Sequence, residues 1–84
     1  MSGLVAEVRE ALSLPAPAVA RAIREAARVS QARLAEELGV HELTVARWEA
    51  GTRIPHGDLR LSYARLLRDL DEAARCAQGN GAPA

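Results

Sequence analysis

Aromatic side chains are nearly missing from this chain: there is no phenylalanine, and Trp48 and Tyr63 supply the whole aromatic share of 2%. A core without aromatic bulk has to be built from alanine, leucine and valine around one indole, and these residues, with arginine and glutamate, favour helices. Strand-like alternation of apolar and polar residues is lacking too, which points to an all-α fold. Lysine is absent, so all 11 basic residues are arginine, and 11 acidic residues bring the formal net charge to zero. That balance withholds the basic footprint usual in nucleic-acid binders. Any phosphate contact must therefore come from how the arginines are distributed, and Asp69, Asp71 and Glu72 do lie late in the chain.

A single cysteine, Cys76, has no internal disulfide partner and no companion for a structural zinc site, which suits a reducing, cytoplasmic setting. No apolar run is long enough to cross a bilayer, and the opening MSGLVAEVREALSL, interrupted by Glu7, Arg9 and Glu10, reads as neither signal peptide nor membrane span. Catalytic constellations are wanting as well. No glycine-rich loop precedes a lysine, no His/Cys cluster has metal-ligand spacing, and His41 and His56 stand apart without further ligands. The expectation is a non-enzyme with no cofactor and no metal.

With 84 residues there is room for one small domain. Leu4, Val5, Val8 and Leu12 share one face of an amphipathic helix, so residues 1–14 form an N-terminal element that packs on the domain, on a second subunit or on a protein partner. Pro15 and Pro17 interrupt it, and Pro17 opens a helix running to about Arg28, with Val19, Ala22, Ile23 and Ala26 as its buried stripe. After the loop GTRIPHG, a last helix is predicted from about Asp58, its capping residue, with Leu59, Tyr63, Leu66, Leu67, Leu70 and Ala74 inward. It frays near Cys76 to Gln78, and 79–84 form a disordered tail, leaving 16–78 as the folded domain.

Between these lies the most informative stretch, QARLAEELGVHELTVARWEA, from Gln31 to Ala50. Leu34, Ala35 and Leu38 have helical spacing, Ser30 stands where an N-cap is needed, and Gly39 supplies a left-handed stop. Val45 and Trp48 restart the apolar pattern, leaving His41, Glu42, Leu43 and Arg47 outward. Two short helices joined by a tight turn make a helix-turn-helix. The segment SQARLAEELGVHELTVARWEAGTRIP, with its opening SQ, LAEELGV across the turn, WExG at the end of the second helix and a following proline, resembles the Cro/cI, or XRE-type, family of bacterial and phage DNA-binding regulators. The resemblance covers roughly Ala16 to Leu70 and implies a lambda-repressor-like domain of four to five helices.

A helix-turn-helix lays its second helix in the major groove with the N-terminal residues against base edges. That assigns base contacts to His41, Glu42, Leu43 and Arg47. Arg47 suits guanine O6 and N7; Glu42 either accepts from a cytosine amino group or serves as a first-turn acid; Leu43 meets a thymine methyl or packs under the preceding loop. His41 either donates to a base or phosphate or neighbours the helix cap. The resemblance further implies phosphate contacts from Gln31, at a helix N-terminus, and from Thr52, Arg53 and His56 in the loop after the second helix; Thr44 either meets the phosphate side or is a half-buried helix residue. It also implies a partly buried Arg24–Glu49 salt bridge behind the recognition helix, with Trp48 in the core.

The function expected on these grounds is a Cro-like or repressor-like regulator, bound to a double-stranded DNA operator as a homodimer, with no membrane involvement and a nucleoid-associated location in a bacterial or phage-infected cell. The dimer contact is expected from Tyr63 to Leu70 or from the N-terminal helix, and the regulator is expected to stand alone. Competing uses of the fold are an antitoxin or protein-interaction adaptor, and a monomeric accessory DNA-binding factor.

Overall fold

A computed structural model of the protein describes residues 3–5 and 14–81. Four helices follow one another: α1 (Pro17–Ala26), α2 (Gln31–Leu38), α3 (Glu42–Ala50) and α4 (Gly57–Gly81). Strands do not occur among the described residues, so the domain is all-α. Gly3 to Val5 are also helical, with Leu4 and Val5 exposed; the rest of the expected N-terminal helix, and residues 82–84 of the expected tail, lie outside the described residues.

Pro17 opens α1, where its missing N–H and fixed φ cost nothing. The helix stops two residues short of the expected Arg28, because Arg28 takes up a left-handed φ of 60° and its N–H bonds back to the Glu25 carbonyl. The buried stripe is also shifted by one position from the one expected. Ala20 and Arg24 are buried and Ile23 partly so, whereas Val19, Ala22 and Ala26 face outward. The apolar pattern alone does not separate these two stripes, since both have helical spacing. The inward pull of Arg24 on an interior carboxylate selects the one that is used.

Ser30 accepts the Arg33 N–H at 3.0 Å and so caps α2, which Gly39 ends at a left-handed φ of 73°. α2 and α3 then pack tightly together, with Ala35 small at their contact. Gly51, at φ 78°, ends α3 in the same way, and Pro55 is buried beneath the loop that follows. Helix α4 begins at Gly57, so Asp58 lies inside its first turn as an acid facing the helix dipole rather than as a cap. It continues to Gly81, past the end expected at Cys76 to Gln78.

The core comprises Ala20, Leu34, Ala35, Val45, Trp48, Tyr63 and Leu67, with Leu14, Ile23, Val29, Leu38, Val40, Leu59, Leu66 and Leu70 packed around it. Trp48 and Tyr63 meet with ring centroids 4.7 Å apart at 39°, a tilted contact favourable beyond simple burial. Because Tyr63 and Leu67 are turned into this core, they are not available to a second subunit. Arg65, Arg68 and Asp69 are the exposed side chains of the stretch from Tyr63 to Leu70, where a dimer contact is expected.

Candidate nucleic-acid interface

Helix α3 has a sharply divided surface. Val45, Trp48 and Glu49 are buried, while His41, Glu42, Leu43 and Arg47 are exposed and Thr44 is half-buried. Leu43 keeps 48% of its surface in solvent, so the alternative in which it packs under the preceding loop does not hold. His41 stands outside the helix as its N-cap, with extended backbone, and its Nδ1 accepts the Leu43 N–H at 3.0 Å. Glu42 is the acidic residue of the first turn.

The loop after α3 folds back on the helix end. The Arg47 carbonyl accepts from the Thr52 and Arg53 N–H groups at 3.0 and 3.4 Å and from the Thr52 hydroxyl at 3.3 Å. This closure carries Arg53 and His56 beside the helix, so that Thr44, Arg47, Arg53 and His56 line one open cleft floored by Trp48, Pro55 and Leu59. Ile54, 61% exposed, lies in the same cleft. Sequence reasoning missed it, since an isoleucine between an arginine and a proline carries no mark of being left in water. Thr52 is exposed, but its only hydroxyl proton is engaged with Arg47, which removes it as a donor to a phosphate.

Behind the exposed face, α3 is held by a buried ion pair. Arg24 Nε and Nη2 donate to Glu49 Oε2 and Oε1 at 2.6 and 3.0 Å, and Arg24 Nη1 donates to the Val29 carbonyl at 2.8 Å. Gln31 Nε2 adds a donor to Glu49 Oε1 at 3.0 Å. The carboxylate is thereby triply hydrogen-bonded. Burial pushes the Glu49 pKa up, but the bonds from Arg24 and Gln31 and the guanidinium charge outweigh it and hold it below its ordinary value. Reciprocally, the hydrogen bond to Glu49 raises Arg24 against its own desolvation. The four groups span α1, its exit, α2 and α3. Gln31 thus serves the frame of the site with one amide proton, leaving the other free.

Charge distribution resolves the zero net charge. Arg21–Glu25, Arg33–Glu36, Arg33–Glu37 and Arg75–Asp71 pair on outer helix faces, and Arg24–Glu49 pairs inside. On α3 and its loop, Arg47 and Arg53 have no carboxylate partner among the described residues. Compensating pairs elsewhere therefore leave two cations on the face where phosphates would approach.

A family model described as helix-turn-helix matches residues 21–73 of the chain. The protein belongs to the XRE-type helix-turn-helix family of DNA-binding regulators. The match runs from the middle of α1, through the ion-paired frame and the α2–turn–α3 unit, to the last third of α4. Comparison with curated proteins and with solved structures gave no significant match. No helix among the described residues is long and apolar enough to cross a membrane, and no group of metal-ligating side chains gathers there.

Proposed function

We propose that this helix-turn-helix protein is a sequence-specific transcriptional regulator of the Cro-like or repressor-like kind, which inserts α3 into the major groove of a double-stranded operator. The reading is carried by the outward face of α3, which the described residues leave exposed and flank with two arginines that have no carboxylate partner among them. Arg47 addresses a guanine edge, and Leu43 a thymine methyl. Arg53, His56 and Thr44 line the sugar-phosphate backbone from the cleft, and the free amide proton of Gln31, with backbone N–H groups at the start of α2, meets a further phosphate.

One domain of this size makes few base contacts, so the protein acts as a homodimer on a pseudo-palindrome with half-sites about one helical turn, ~34 Å, apart. Its regulatory role needs no cofactor and no catalysis. In vitro selection from a random duplex pool tests the proposal: one enriched, symmetric site is expected. Failure of any sequence to enrich at low ionic strength would refute it, and would favour an adaptor that binds a protein through the exposed Leu4 and Val5.

A further inference from the structure

The N-cap of a helix is ordinarily filled by serine, threonine, asparagine or aspartate, whose short side chain accepts a helix N–H and holds its remaining polar groups close to the helix end. In this protein an imidazole does the capping, and an imidazole has two nitrogens. His41 Nδ1 accepts the Leu43 N–H at 3.0 Å. A ring nitrogen that accepts carries no hydrogen, so the neutral ring holds its single proton on Nε2. The cap also fixes the ring plane, because Nδ1 must point along the helix toward the first turn. Nε2–H then points away from the capped N–H, on an exposed residue, and has no hydrogen-bond partner among the described residues.

We propose that α3 itself fixes the hydrogen-bonding polarity of His41, making it a pre-oriented donor that reads a purine N7 at one position of each half-site. This rests on the DNA-binding reading above. The neighbouring side chain gives the opposite polarity: Glu42, ionised and exposed, only accepts, and so requires an amino group such as cytosine N4 or adenine N6. Two consecutive residues at the tip of α3 thus ask for complementary groups, an acceptor for His41 and a donor for Glu42. Cytosine offers only its amino group in the major groove, and is refused at the His41 position.

The test uses the full chain in three arms. His41→Ser keeps a capping oxygen and removes the ring donor; it should melt like wild type, bind the selected site roughly tenfold more weakly, and lose base preference at one position per half-site with the others intact. A 7-deazapurine at that position should weaken wild-type binding by a similar factor and leave His41→Ser unaffected, the coupling expected of a direct contact. Long-range 1H–15N correlation spectra of the free protein should show the His41 proton on Nε2. Preference unchanged at every position in His41→Ser, sensitivity of wild type to neutralising a phosphate but not to any base, or a proton on Nδ1 would each overturn the inference. Those outcomes leave the DNA-binding reading standing, whereas absence of any enriched sequence for wild type removes both.

Discussion

At the scale of single residues, Arg24 and Glu49 matter most, because each is buried only in the company of the other. Removing one partner strands a charge inside, so Arg24→Ala or Glu49→Ala should lower stability by about 3–5 kcal/mol in urea unfolding. The depressed pKa of Glu49 adds a sign. Unfolded glutamate titrates near about 4.3, so above that pH the ion pair contributes fully, and its contribution is lost as pH falls through the lower folded value. Glu49→Gln should flatten the acid side of the stability–pH curve relative to wild type. Tyr63 behaves in the opposite sense. Its buried Oη has no hydrogen-bond partner among the described residues, and burial, aided by the Glu49 charge and opposed by Arg24, pushes its pKa up to about 12. Stability should therefore fall as pH rises from about 10, where an unfolded tyrosine ionises, through that value. Tyr63→Phe should abolish the alkaline loss and, by removing an unsatisfied hydroxyl, leave neutral-pH stability unchanged or raised by up to about 1 kcal/mol in thermal melts. Arg47 has no such structural duty. Arg47→Ala should keep a wild-type circular dichroism spectrum while costing about 1–3 kcal/mol of specific DNA binding and relaxing preference at one base pair.

At the scale of elements, each helix of the DNA-binding unit ends where a residue can enter the left-handed region. Gly39 and Gly51 do this at little cost for α2 and α3. Helix α1 uses Arg28 instead, and a non-glycine residue there costs about 1–2 kcal/mol, offset in part by the unfolded-state entropy that a glycine would bring. Arg28→Gly should therefore stabilise the domain by up to about 1 kcal/mol, measured as a higher urea midpoint; a lower midpoint would mean that the arginine side chain matters more than its backbone. The starts of the helices are set differently. Ser30 and His41 close α2 and α3 with side-chain acceptors, while Pro17 simply pre-sets the first turn of α1. The α2–turn–α3 geometry follows from these terminal residues, whereas the depth to which α1 is rotated follows from Arg24.

For the whole molecule, neutrality makes the DNA-binding reading quantitative. Arg21, Arg33 and Arg75 are paired on outer faces and Arg24 inside, so a dimer brings to the duplex on the order of four cations without a carboxylate partner among the described residues, Arg47 and Arg53 of each protomer, and affinity should fall with log salt at a slope no steeper than about −4. Band shifts across a salt series check this, and a much steeper slope would mean that other basic groups reach the duplex. The helix-turn-helix, the Ser30 cap, the Gly39 stop and the exposed tip were legible in sequence because they depend on local matters: 3.6-residue periodicity, a capping serine, a glycine with positive φ. Ala20 in place of Val19 on the buried side of α1 and the continuation of α4 to Gly81 were not, since more than one register satisfies the same apolar spacing. Nor does sequence disclose that the Gln31 amide holds Glu49, that the Thr52 hydroxyl is bound to Arg47, or that the His41 ring caps its own helix. The chain's order of residues determined which segments are helical and where they stop, because those energies act within a turn or two of backbone. Tertiary structure alone decided which polar groups remain free to meet another molecule, because a hydrogen-bond donor is committed or available only according to what packing brings within about 3 Å of it.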